Sequence, residues 1–285
     1  MTTIRTPRNG SYASIFIRTF SKKSDDKYEA AGFGTAFLYE FEQMTFLVTN
    51  WHIIAGRHPE KIGKRIVDYK PTHFKLSIAD KDNPLQFIDT DFRNLYDQDG
   101  NPQWIESSHG FSIVDLVAIR VKFDDRYLVP TVQSFAPQAS TKFEPGITVC
   151  VIGYPFFQTV ERPFPVWKEA NIASEPSVLH DGLPYMLLDT PGLPGMSGSP
   201  VYFISKGVMA PESVAEALQK PNNSLDAIKD LDFTAHLEFA GVYSGSLTDP
   251  RFEKMGFGRF WGSYVVEGMF KSHKQGDIPP HFDDW

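Results

Sequence analysis

The sequence predicts an all-β fold, and three observations carry that prediction. Short apolar, β-prone runs recur along the chain, each bounded by Gly, Pro, Asn, Asp or Ser. Helical spacing is confined to one stretch in the second half, residues 211–228. A segment rich in Pro, Ser and Gln, residues 130–145, separates the runs into two sets and reads as a connector between two subdomains.

In chain order, residues 12–20 alternate and form a first strand, followed by a charged exposed loop at 21–27. Residues 32–39 and 45–49 are two strand-like runs joined by a short link, a hairpin. Asn50-Trp51-His52-Ile53-Ile54-Ala55-Gly56 follows at once, a short apolar turn closed by glycine. Residues 74–78 read as a strand, and 80–101 are polar and turn-rich. Asp97-Gln98-Asp99-Gly100-Asn101 resembles the start of a calcium loop but lacks the distal Glu, so a surface turn is expected. Residues 113–121 form an apolar strand carrying Asp115 near its start.

In the second half, strands are expected at 147–152, 166–174, 185–189, 201–204, 238–244 and 262–266. Between them, residues 211–219 begin with Pro211, place Val214, Ala217 and Leu218 on one face and end before Pro221, the pattern of a short helix. A second short helix is expected at 224–228, and residues 271–285 form a polar tail.

Composition narrows the function classes. Hydrophobic residues make up 41% of the 285 residues and aromatic residues 14%, ample for a packed core. With 28 Lys plus Arg against 35 Asp plus Glu, the net charge of −7 argues against a nucleic-acid partner. The single cysteine, Cys150, lies in an apolar run, so it is expected in the core, and neither an intrachain disulfide nor a cysteine-based metal site can form. The first thirty residues lack an apolar signal region, and no run approaches a membrane span. A cytoplasmic protein without a membrane partner, metal or cofactor is expected.

Three residues carry candidate chemistry. Ser197 lies in Gly195-Met196-Ser197-Gly198-Ser199-Pro200-Val201, where glycines permit a tight turn with N–H groups directed at a developing oxyanion; the same pattern also serves a plain hairpin connection. His52 sits at a strand end, placed as a general base or as a satisfied core histidine. Asp115 in an apolar strand must be paired or well hydrogen-bonded; it either caps a strand end or orients a base.

Jointly these residues follow the order base, acid, nucleophile, and their contexts resemble the trypsin-like serine peptidases of the chymotrypsin fold. The resemblance rests on Gly34-Thr35-Ala36-Phe37-Leu38 with Leu47-Val48-Thr49-Asn50-Trp51-His52, on Val114-Asp115-Leu116-Val117-Ala118-Ile119, on Gly153-Tyr154-Pro155, on the Ser197 turn and on Gly241-Val242-Tyr243-Ser244-Gly245. It covers roughly residues 30 to 270 and is closest in character to bacterial, disulfide-free relatives.

The resemblance implies two six-stranded antiparallel β-barrels, residues 12–135 and 136–270, within a single peptidase domain over 1–285. It further implies a serine endopeptidase in which Ser197 is the nucleophile, His52 the base and Asp115 the orienting acid, with the Gly195 and Ser197 N–H groups as the oxyanion hole. Thr190 and Pro191 would wall the primary substrate pocket, and Tyr243, Ser244 and Gly245 would form the strand edge on which a protein or peptide substrate pairs. Pro191 at the pocket base favours an apolar or small side chain before the scissile bond, whereas a shifted register would bring Asp189 there and favour Lys or Arg. Met196 would point away. Trp51 replaces a small residue usual before the histidine, so the packing behind His52 should differ. With no Ile-Val activation site before Gly34, activity without proteolytic maturation is expected, with a regulatory partner protein as its means of control. A catalytically silent peptide-binding module is the alternative.

Overall fold

In the computed structural model, the described residues are 7–24, 27–59, 61, 64–109, 112–136, 141–156, 164–206, 235–246, 256–272 and 275–276. The two helices expected within 211–228 lie outside them, as does most of the 271–285 tail.

The N-terminal half opens with a short helix α1 (Asn9–Ala13), then β1 (Ser14–Ser24), β2 (Lys27–Phe41), β3 (Met44–Thr49) and the one-turn helix α2 (Trp51–Ala55). It continues with β4 (His73–Ala79), β5 (Phe87–Asp89), β6 (Arg93–Asn94), β7 (Trp104–His109) and β8 (Ser112–Arg120). They form one antiparallel sheet in the order β5-β4-β1-β2-β3-β8-β7, with β6 also on β4. Its eight strands exceed the six expected because β5 and β6 are short pairings of three and two residues on β4; six longer strands remain. Leu95 N–H donates to Thr72 and Gln103 N–H to Leu95, which brings the β4–β6 side round to the start of β7.

After a 3₁₀ turn at Val132–Ser134, the C-terminal half contains β9 (Thr148–Gly153), β10 (Val166–Asn171), β11 (Tyr185–Leu188), β12 (Pro200–Lys206), β13 (Ala235–Ser246), β14 (Gly258–Gly262) and the helix α3 (Ser263–Ser272). The order is β10-β9-β12-β13-β14-β11, again antiparallel. Ile172, just past β10, bridges Leu188 in β11, so the first and last strands meet.

Strand periodicity explains how the halves join. Successive side chains point to opposite faces, so one face of each strand fills its own barrel and the other packs between barrels. Ile15 and Ile17 of β1 and Ala36 and Leu38 of β2 enter the N-terminal core, whereas Phe37 faces the shared core. Val149 and Val151 of β9 enter the C-terminal core, whereas Cys150 and Ile152 face the shared one.

Of residues 262–266, expected as a strand, only Gly262 is in one, at the end of β14; the rest open α3. Their two adjacent valines suggest β structure, but Val265, Val266, Met269 and Phe270 are buried at the spacing of one helical face. Phe270 stacks on Tyr39 and Phe41 at 5.2 and 4.9 Å and meets Phe46 edge-on, so the helix at the end of one barrel is anchored on the other. Among the described residues, no helix is long and apolar enough to cross a membrane.

Candidate active site

The site is assembled where β3, β8 and the turn before β12 converge. Gly56, in the left-handed region at φ 66°, terminates α2 and donates its N–H to the His52 carbonyl at 2.9 Å. This fixes His52 in the first turn, directly after β3. Asn50 Nδ2 donates to the Asp115 carbonyl at 2.7 Å, tying the β3 end to β8.

Asp115 is 1% exposed, and three donors converge on its carboxylate. The His52 N–H donates to Oδ1 at 2.9 Å, His52 Nδ1 lies 2.8 Å from Oδ2, and the Ser244 hydroxyl also donates to Oδ2. Burial pushes the carboxyl pKa up, but the His52 charge and these hydrogen bonds outweigh it, so the net direction is down. Asp115 is therefore a carboxylate at neutral pH, and it favours the His52 tautomer with its proton on Nδ1.

Behind the histidine, Trp51 is buried and donates its indole N–H to Glu106 at 3.1 Å, while Trp104 donates to the same oxygen at 3.0 Å. Packing at the position before the histidine thus depends on a carboxylate shared by two indoles. Glu106 could be paired with Trp51 only through the fold.

Ser197 follows a tight turn built from Leu193-Pro194-Gly195-Met196. Met196 N–H donates to Leu193 at 3.0 Å, and Gly195 has φ 94°, the arrangement of a type II turn with Pro at its second and Gly at its third position. No side chain fits at Gly195, because a Cβ there would lie 2.1 Å from the Tyr154 carbonyl oxygen. The Pro194 carbonyl accepts from Phe156 N–H at 2.7 Å, so the opposite end of that planar peptide, the Gly195 N–H, is turned the other way. Among the described residues, neither the Gly195 nor the Ser197 N–H donates to a protein acceptor.

Gly198 packs just as closely: a Cβ there would lie 2.0 Å from the Thr35 carbonyl oxygen. Met196 is turned into the C-terminal core, as expected. Ser199 is fully buried, with its hydroxyl bonded to the Met196 carbonyl at 2.5 Å, which leaves Ser197 as the serine of this turn that reaches the cleft. A cavity of about 180 Å³ is lined by His52, Asp115, Ser197, Ser244, Gly245 and Arg259, with His58, Pro59 and Ile66 on the other side. Ser197 Oγ makes no hydrogen bond among the described residues.

The expected substrate-binding residues divide. Ser244 and Gly245 line the cavity, whereas Thr190, Pro191 and Tyr243 do not. The Tyr243 backbone is already engaged: its carbonyl accepts from Gly198 at 2.8 Å and its N–H donates to Ser199 at 2.9 Å, while its ring enters the barrel core. Tyr243 thus braces the Ser197 turn. Thr190 is buried, and Pro191 is exposed with its carbonyl bonded by Lys168 Nζ. Asp189 is exposed and accepts two hydrogen bonds from Asn171 on β10, at 2.5 and 2.9 Å, so it is held outside the cavity wall. Arg259, unforeseen from sequence, lines the cavity instead, with its guanidinium 4.6 Å from the Tyr185 ring centroid. Among the described residues, no His, Cys, Asp and Glu cluster could hold a metal ion.

Two antiparallel β-barrels packed on a shared core, with a His-Asp couple on one and a glycine-flanked serine on the other, define a chymotrypsin-like two-barrel fold. The family model for the trypsin-like peptidase domain matches residues 34–209, more than half of the chain, and the chain belongs to that family. No curated protein matches it.

Proposed function

We propose that this trypsin-like peptidase domain is a serine endopeptidase acting on protein or peptide substrates. The observation that carries the reading is that the hydrogen-bonded His52–Asp115 pair shares one cavity with Ser197, beside two unclaimed N–H groups. In the reaction, Ser197 Oγ attacks the scissile carbonyl while His52 Nε2 takes its proton. Asp115 holds the ring through Nδ1–H and stabilises the imidazolium. Charge developing on the carbonyl oxygen is met by the Gly195 and Ser197 N–H groups, each donor worth on the order of 3 kcal/mol in the transition state. His52 then delivers the proton to the leaving amine, and water activated by the same histidine cleaves the acyl-enzyme.

Supporting the nucleophile assignment is the contrast between Ser197, at the cavity, and Ser199, buried and bonded. A second reading, a peptide-binding module without turnover, draws on the absence of a Ser197 Oγ hydrogen bond to His52 among the described residues. Apo sites commonly tighten only with substrate, so the first reading is preferred. Incubating the protein with unfolded casein and identifying fragments by mass spectrometry separates them: cleavage lost in Ser197→Ala supports the peptidase, and intact casein with wild type supports the binding module.

A further inference from the structure

Thr35 lies on β2 in the N-terminal barrel, is fully buried, and is bonded to the Ser197 turn of the other barrel at two carbonyls. Its N–H donates to the Ser197 carbonyl at 2.8 Å, and its Oγ1–H donates to the Gly195 carbonyl at 2.8 Å. The same hydroxyl accepts the Tyr154 N–H at 3.1 Å, and the Thr35 carbonyl accepts Thr49 Oγ1 at 2.7 Å. A single side chain thus joins three separate segments, and its backbone is itself tethered to β3.

Peptide planes are rigid, so fixing a carbonyl fixes the direction of the N–H across the bond. In the Ser197 turn, the Pro194–Gly195 plane is held by Phe156 N–H, the Gly195–Met196 plane by the Thr35 hydroxyl, and the Ser197–Gly198 plane by the Thr35 N–H. Between the first two stands Gly195, the residue with most freedom to rotate. Without the hydroxyl, the buried Gly195 carbonyl and the Tyr154 N–H both lose their partner, and the glycine can turn to satisfy its oxygen elsewhere. The Pro194–Gly195 plane, which carries the Gly195 N–H, would then be held by the Phe156 N–H alone, with the glycine free to rotate on its other side.

We propose that Thr35 is a positioning residue whose hydroxyl fixes the Gly195 carbonyl and, together with the Phe156 N–H on the other side of the glycine, holds Gly195 in the conformation that directs its N–H toward the cavity. Its effect on catalysis rests on the serine endopeptidase reading; its effect on the turn does not.

The test compares Thr35→Val, which keeps the shape and removes the hydroxyl, with Thr35→Ser, which keeps the hydroxyl. Steady-state kinetics on a peptide substrate are paired with the backbone amide NMR signals of Gly195 and Ser197. The expected result is a kcat about 10²-fold lower in Thr35→Val with KM changed by less than about threefold, the scale of losing one oxyanion donor, and near-wild-type kinetics in Thr35→Ser. The Gly195 amide should shift in the valine variant alone. A valine variant with wild-type kcat, or a serine variant as impaired as valine, overturns the proposal. If wild type itself turns over no peptide, the endopeptidase reading falls, while a Gly195 amide displaced in Thr35→Val alone upholds the role in the turn and an undisplaced one overturns it. Should Thr35→Val not fold, Thr35→Ala removes the same hydroxyl and is read in the same way.

Discussion

Replacing Asp115 by Asn changes one atom and inverts the hydrogen-bond logic of the site. The carboxylate accepts from the His52 N–H, His52 Nδ1–H and Ser244 hydroxyl. An amide of the same shape can keep the backbone donor on its oxygen only by turning its NH₂ group toward Nδ1. The ring nitrogen must then accept, the proton moves to Nε2, and the base can no longer take a proton from Ser197. In the Ser-His-Asp template, this wrong-tautomer change lowers kcat about 10⁴-fold, equivalent to about 5 kcal/mol of transition-state stabilisation. KM should move little, because Asp115 is 1% exposed and its oxygens are taken up by His52 and Ser244. Stability should fall by about 1–3 kcal/mol, since an NH₂ group now faces the Ser244 hydroxyl where a carboxylate accepted. The assay is initial-rate kinetics on a fluorogenic peptide, normalised by urea unfolding to the folded fraction. A folded Asp115→Asn protein with kcat within tenfold of wild type would refute the reasoning.

Other consequences follow from the same contacts. Gly195→Ala places a Cβ 2.1 Å from the Tyr154 oxygen at a φ that disfavours alanine, so kcat should fall by about 10²–10³-fold in peptide assays, and an unchanged kcat would be inconsistent with the turn described. Glu106→Leu strands the Trp51 and Trp104 indole N–H groups in the core and should destabilise the protein by about 2–6 kcal/mol in urea titration, with a stability loss below about 1 kcal/mol counting against the shared carboxylate. Because the folded pKa of Asp115 lies below its unfolded value of about 3.9, its ionic contribution is present above about pH 4 and disappears as pH falls through the depressed folded value. The stability difference between wild type and Asp115→Asn should accordingly shrink below about pH 4 in chemical denaturation, and a difference that grew there would reverse the sign of the argument.

Local patterns in the chain made the two-barrel organisation and the three candidate residues legible. Glycines around Ser197 announce a turn that no side chain fits, and His52 just past an apolar strand and Asp115 within one stand where only a partner makes a polar group tolerable. What stayed hidden depends on long-range contacts. Ser244 reaches Asp115 across 129 residues and Thr35 reaches Gly195 across 160, and neither has a local signature. Nothing in the neighbours of Tyr243 shows that the Ser197 turn takes both its backbone groups. At 263–266 two adjacent valines fit a strand as well as the first turn of a helix, and the helical face emerges only with Met269 and Phe270. Arg259 lines the cavity and Asp189 does not, a difference set by strand register, which decides which side chain faces it.

The measurement that tests the central claim most directly is labelling of the 285-residue protein with a fluorophosphonate, followed by tryptic mapping of the adduct. One adduct per chain on Ser197, absent in Ser197→Ala and slowed at least about 10³-fold in His52→Ala, is the result expected of a serine activated by a positioned base. An adduct on another residue, or equal labelling of wild type and Ser197→Ala, would contradict it.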